Sequence, residues 1–397
     1  MTPDFRPILR PIEVIPLEWQ GKPSLVLRDP LGYTENFLVL PQALAPILAL
    51  MDGRHSLRDL QVAATRSFGR LVMLEEVAEL VRKLDAYGFL DGEAFKRLKE
   101  EVERSWKALL VRPPAHAGKA YPRDPEALRN FLDSILDQVQ SQRSFSPRIL
   151  VAPHLDISSG AKGYAAAYRN FDLPEKARIV LIGTGHQLEK PFSVLTKDLE
   201  TPFGRISVDR DFLAGLLAKV PELYPDEFAH RHEHALEFQI IFLQYLFPDF
   251  SVIPILFGPL DLYLRDHRDP FEAVPELEKL CSVLREAWDE RTYMVVSIDF
   301  AHLGVRYGDP YPAGEKEGAM AIATDRALLE TLFSGNYQRF LEEACRALPY
   351  KVCGLSSLLF VANLVSGFDP QGEIYYQEAV PFGPGSLVSI AAAGLAF

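Results

Sequence analysis

Cysteine is scarce in this 397-residue chain, which holds only Cys281, Cys345 and Cys353. Three thiols at irregular spacing cannot build a disulfide framework or a zinc knuckle, so a reducing compartment, the cytoplasm, is the expected location. Long apolar runs are missing as well. Nowhere do about 18 uninterrupted apolar residues occur, the length a membrane span needs. The opening MTPDFRPILRPIEVIPLEW breaks each apolar run with Arg, Pro or Glu, which leaves no signal-peptide core. Neither a membrane partner nor secretion by that route is expected. Positive charge is in deficit, with 42 Lys and Arg against 54 Asp and Glu and a net charge of -12. Nucleic-acid binders carry clustered basic surface that releases counterions from phosphates, so no nucleic-acid partner is expected. No serine lies in a G-x-S-x-G turn, which weakens a hydrolase reading.

What the chain has is apolar content, 48% of its residues. That suffices for a large α/β domain with a smaller one beside it, because single cores stop growing at roughly 250 to 300 residues. Residues 1–92 read as a small α+β domain: short strands between Ile12 and Val39, then helices over Pro41 to Gly53 and Glu75 to Gly88. Val77, Leu80, Val81 and Leu84 repeat at helical spacing, and Gly88 is placed to stop that helix. Residues 93–114 read as a helical linker, charge-rich and closed by Pro113 and Pro114. In residues 115–397, Asp124 and Pro125 offer an N-cap and first-turn proline to a helix with an apolar stripe from Leu128 to Val139. Four short apolar runs follow: Ile149 to Ala152, Ile179 to Ile182, Val252 to Phe257 and Tyr293 to Ile298. Such runs suit strands buried on both faces, and the helical patterns between them predict an α/β fold with a central, mostly parallel sheet and flanking helices. Ile374 to Val380 and Leu387 to Ala393 predict a closing hairpin.

Three of the four runs lead into histidine: ILVAPH ends at His154, IVLIGTGH at His186, and MVVSIDFAH at His302 with Asp299 just before it. Loops beyond the carboxyl ends of such strands are where open α/β sheets bind ligands. Neutral imidazoles converging there can share a metal ion such as iron, copper or zinc. HRHEHALEFQ adds His234 and Glu237 at a predicted helix start as hydrogen-bonding or proton-transfer groups, with Glu233 one turn before Glu237. His230 and His232 read as solvated helix-start residues, and His55 and His267 as loop residues. Cys353, between a charged turn and Gly354, is the cysteine placed to supply a thiolate. Cys281 and Cys345 read as small buried hydrophobes on helix faces.

At these residues the chain resembles the Memo family, including proteins called AmmeMemoRadiSam system protein B, which share a fold with class III extradiol dioxygenases. The motifs are AHAGKAYPRDP (His116, Gly118, Tyr121), APHLDISSG (His154, Gly160), IGTGHQ (Gly183, His186), DEFAHRHEHALEFQ (Glu233, His234, Glu237), SIDFAHLG (Asp299, His302, Gly304) and VCG (Cys353, Gly354). The resemblance implies that His154, His186 and Cys353 are metal ligands, with His302 and Asp299 beside them as catalytic groups. The related dioxygenases use two histidines and a carboxylate, so a thiolate in the third place makes ordinary ring cleavage doubtful. The chain departs from the family pattern at Leu155-Asp156-Ile157, where Ala-Gly-Tyr is frequent, at Gln187, where a second histidine is frequent, and at Ala235, where serine is. More loosely, LVLPQALAPILALMDGRHSLRDL and EEVAELVRKLDAYGFLD resemble PqqD-like, winged-helix peptide-recognition modules.

Together these features lead to an expected metal-dependent redox enzyme, dioxygenase-like, with iron or copper as cofactor and zinc as a further candidate, acting on a small molecule or peptide. The alternative is a non-catalytic accessory or scaffold that presents a peptide or partner to a radical-SAM enzyme.

Overall fold

The computed structural model of the chain describes residues 1–223 and 227–397. Asp226, which opens the DEFAHRHEHALEFQ motif, lies outside the described residues. The chain divides into two compact units, Met1–Leu109 and Leu110–Phe397.

In the first unit, β1 (Glu13–Trp19), β2 (Lys22–Arg28) and β3 (Phe37–Pro41) form an antiparallel sheet in that order. Alternation along β2 turns Leu25 and Leu27 inward, where they pack with Leu38, Leu40, Ile47, Leu60, Val81 and Leu84. Helix Leu57–Phe68 starts at a capping box in which Ser56 and Asp59 bond each other's backbone N–H. Helix Leu74–Ala86 ends before Gly88, whose φ of 75° is the left-handed value glycine adopts without strain. Helix Glu93–Ala108 completes this unit.

The second unit contains β4 (Val111–Arg112), β5 (Ile149–Ala152), β6 (Ala177–Thr184), β7 (Phe192–Val194), β8 (Asp198–Thr201), β9 (Gly204–Ile206), β10 (Phe250–Phe257), β11 (Thr292–Ser297), β12 (His302–Gly304), β13 (Gln371–Pro381) and β14 (Ser386–Ala396). Eight of these strands make one large sheet, while β4, β8 and β9 make a small one. The large sheet is mixed, which corrects the expectation of a mostly parallel one. Its centre, β5-β11-β6-β10, is parallel, but β7, β12, β13 and β14 all pair antiparallel. The turn Phe382–Gly385 is too short for a parallel crossover, so β13 and β14 must run oppositely. One edge of β14 then carries β13, and the other is shared by β12 at its start and β5 at its end.

Helices cover both faces. Pro125–Leu136, Ala161–Arg169 and His234–Leu246 pack as one layer, and Pro275–Glu286, Glu315–Phe333, Tyr337–Ala347 and Leu355–Leu364 as the other. This double cover explains why β5 and the first ten residues of β14 are buried on both faces. Asp124 caps Pro125–Leu136 through the Ala127 N–H at 2.9 Å. Cys281 is buried, but Cys345 is exposed, contrary to its expected burial. It lies on helix Tyr337–Ala347, whose inward stripe is Tyr337, Phe340, Ala344 and Ala347, and position 345 falls off that stripe. Among the described residues no helix is long and apolar enough to cross a membrane.

Candidate metal centre

Because β5, β11 and β6 are adjacent and parallel, their carboxyl ends open at one edge of the sheet. His154 follows β5 after one proline, His186 follows β6, and Asp299 follows β11. Cys353 arrives from the other direction, in the turn before helix Leu355–Leu364. That turn is docked on the end of β11. Cys353 donates its N–H to the Phe300 carbonyl at 3.0 Å, and Gly354 donates to the Asp299 carbonyl at 2.9 Å. Thr184, at the end of β6, donates its hydroxyl to the Cys353 carbonyl at 3.2 Å.

This docking places Cys353 Sγ 3.4 Å from His154 Nε2 and 3.5 Å from His186 Nε2. A sulfur about 2.3 Å and a nitrogen about 2.05 Å from one ion, at a tetrahedral angle, stand about 3.5 Å apart. The three donors therefore fit a single metal ion. Both rings turn the same nitrogen to the sulfur, for separate reasons. His154 Nδ1 is 3.1 Å from the Ser297 carbonyl, which can only accept, so Nδ1 carries the proton and Nε2 the lone pair. His186 Nδ1 lies 2.9 Å from Glu233 Oε1 and 3.1 Å from Oε2. That carboxylate also accepts the His186 and Ala235 N–H groups, each at 2.9 Å, and so caps helix His234–Leu246 while orienting the His186 ring before it.

Charge favours a thiolate. Burial alone would raise the Cys353 thiol, but the charges and hydrogen bonds of His154 and His186 outweigh it and bring it down to about 6. Burial likewise disfavours a charged His186, yet Glu233 and Cys353 hold its pKa well above the usual value. Against burial, His186 and His234 hold Glu233 well below the carboxylate range. Burial pushes Asp299 up to about 6, in spite of His302 and the backbone N–H groups of His154 and Leu155, which it accepts at 2.9 and 3.0 Å. His302 Nδ1 is 2.9 Å from the Phe300 carbonyl, which leaves Nε2 as the acceptor. Burial lowers the pKa of His302, with Asp299 opposing, so the ring is neutral near pH 7. Tyr307 packs edge-on against it, with centroids 4.8 Å apart.

The remaining histidines separate. His234 stacks on His186 at 4.7 Å, lies 5.2 Å from the His154 ring, and sits 3.2 Å from Glu233 Oε1 through Nδ1. His186, Glu233 and His234 form a second set of donor atoms close enough to share an ion, overlapping the first at His186. Glu237 offers no free oxygen. Its carboxylate accepts from Arg112 at 2.7 Å, from the N–H groups of Ala115 and His116 at 2.9 and 2.8 Å, and from the Tyr121 hydroxyl at 2.6 Å. It thus fastens residues 112–121 to helix His234–Leu246, taking up His116 and Tyr121 of the first motif. His230 is buried, not solvated, and burial lowers it to about 3. His232 is exposed, His55 bonds Asp52 at 2.9 Å, and His267 has a left-handed φ of 55°. The carboxylate that orients His186 is Glu233, which the sequence reading left beside Glu237 without a role of its own. Its position directly before a helix, where acidic side chains cap free N–H groups, was the available signal.

Fold and site together define an α/β protein with a two-histidine, one-cysteine donor set at the carboxyl edge of its sheet. The chain belongs to the Memo family: the family model described as Memo-like protein matches residues 112–373. A MEMO1 family protein of Aquifex aeolicus is 34% identical over 292 residues, covering 72% of this chain and 74% of that one. Another, from Thermus thermophilus, is 32% identical over 290 residues, covering 72% and 82%. Among solved structures, an uncharacterized protein of Escherichia coli K12 matches with a TM-score of 0.34 and 15% identity, over 62% of this chain and 98% of that one.

Proposed function

We propose that this Memo-family chain is a metal-dependent redox protein related to the non-haem dioxygenases, with His154, His186 and Cys353 as ligands. The observation that carries the reading is the spacing of Cys353 Sγ at 3.4 and 3.5 Å from the Nε2 atoms of His154 and His186. When bound, iron or copper would supply Lewis acidity and a change of oxidation state, and a thiolate ligand favours softer ions than the carboxylate of ordinary dioxygenases does. The chain's own groups do the rest. Ser297 and Glu233 hold the two rings by Nδ1. His302, neutral with Nε2 free to accept, takes a proton from a bound substrate, and Asp299, close to half-protonated near pH 6, moderates the charge that His302 gains.

The test is metal analysis of the full-length protein purified without oxygen and with reductant present. About one equivalent of copper or iron is expected, lost in His154→Ala and Cys353→Ser. An unmetallated protein whose metal affinity ignores both substitutions would sink the reading, and zinc as sole occupant would sink its redox part.

The accessory reading has one observation in its favour. In the first unit β1 and β3 each have one edge without a strand partner among the described residues, and an extended peptide can add to such an edge. A pull-down of a radical-SAM protein that survives His302→Ala and is lost when residues 1–92 are deleted would support it.

A further inference from the structure

A cavity of about 330 Å³ opens directly beside the three donors, with His186 and Cys353 in its wall. That volume is at the lower end of the range for small-molecule sites. Leu188, Phe257, Pro259, Leu348 and Val352 give it an apolar lining. Its cations are Arg265 and Lys351, the first facing Asp261 in the same wall and the second Asp309 just outside it, so what the cavity offers an anion is spare donor groups and not an excess of charge.

Neither cation is fully occupied by its acidic neighbour. Arg265 directs Nε and Nη2 at a single oxygen of Asp261, at 3.3 and 3.2 Å, and its Nη1 makes no hydrogen bond among the described residues. Lys351 gives one hydrogen bond to Asp309, at 2.6 Å, which leaves two ammonium protons. Its backbone is left-handed, φ 52°, an uncommon conformation for lysine, at the turn that also aims Cys353. Ser356, 6% exposed, accepts the Leu260 N–H at 2.9 Å and keeps its own proton to donate.

From this lining we infer that the cavity takes a small monocarboxylate with an apolar body, its carboxylate held by Arg265 and Lys351 and its other end turned to His186 and Cys353. The donors left over on Arg265 and Lys351 suit the two oxygens of one carboxylate. A phosphate dianion would meet Asp261 and Asp309 against the same two cations. The inference rests on the metal-centre reading for its meaning as a substrate site, while the binding itself needs only the cavity.

Benzoate is the probe, with benzamide as its neutral analogue and phenyl phosphate as the dianion. Binding is followed by ligand-observed NMR on the full-length chain, as purified and after chelator treatment. Benzoate is expected to bind in both states and benzamide about tenfold more weakly or worse, since a hydrogen-bonded charge accounts for that much. Arg265→Gln is expected to weaken benzoate by about tenfold while leaving metal affinity unchanged. Lys351→Gln should weaken it similarly, and Arg265→Gln alone decides the matter if that variant does not fold. Equal binding of benzamide, indifference to Arg265→Gln, binding that vanishes with the chelated metal, or phenyl phosphate outcompeting benzoate would each overturn the inference. Metal affinity read on the same samples keeps the two ideas apart. A chain that takes benzoate but no metal ends the redox reading and not this one.

Discussion

Cys353 must be a thiolate to ligate, and with its thiol at about 6 the metal-free site is mostly ionised at pH 7. As pH falls through that value the incoming ion must displace a second proton besides the one His186 holds, so the loss of affinity is expected to steepen by about a further tenfold per pH unit below it. Metal titrations between pH 5 and pH 7.5 would show this steepening, and a slope that stays the same through pH 6 would mean that sulfur is no ligand. Glu233 acts one step further out. Glu233→Gln keeps the shape but offers His186 Nδ1 a neutral partner, and loss of such a partner is expected to cost roughly 10 to 100-fold in metal affinity. A competitive chelator titration measures it, with the His154→Ala variant as the reference for full loss of a ligand. His154 and His186 were visible in sequence because each ends a buried run. Glu233 was not singled out, since its role depends on a ring brought to it from β6, and no local pattern reports that approach.

At the level of elements, β5, β6, β10 and β11 were legible as continuous apolar runs because helices cover both of their faces. The sheet's flanks were not. β7 and β12 have three residues each, and their partners β10 and β14 lie far along the chain, so pairing rather than propensity makes them strands. Helix Leu57–Phe68 also went unread, because its buried residues are only Leu57, Leu60 and Ala64, a sparse stripe. The turn carrying Cys353 depends on a glycine for reasons of space. A Cβ on Gly354 would sit 2.2 Å from the Ile298 Cβ at the end of β11, closer than any real contact. Gly354→Ala is therefore expected to push the turn off β11, with about 1 to 3 kcal/mol of lost stability and a weaker metal site. Denaturant unfolding and metal titration together check it; an unchanged metal affinity in the folded variant would show that the docking at Asp299 and Phe300 does not position the sulfur.

For the molecule as a whole, the α/β class could be read from the order of runs and helices, whereas the mixed strand directions follow from how β14 inserts beside β5, a non-local event. Burial also leaves a carboxyl group that no motif announced. Asp325, on helix Glu315–Phe333, is fully buried, and among the described residues neither of its oxygens has a well-formed hydrogen bond. Burial raises it to about 8, with the Ser389 hydroxyl near enough to offset part of the shift but not to bond it squarely. In the unfolded chain the same group ionises near pH 4. Between about pH 4 and about pH 8 the folded state therefore holds a proton that the unfolded state releases, so its contribution is fully present below pH 4 and is lost as pH rises towards 8, at up to about 1.4 kcal/mol per unit. Asp325→Asn cannot ionise and lacks this dependence. Its stability relative to the wild type is expected to climb steadily from pH 4.5 to pH 7.5 in paired denaturant melts, and parallel pH profiles for the two proteins would show that Asp325 is ionised inside the fold.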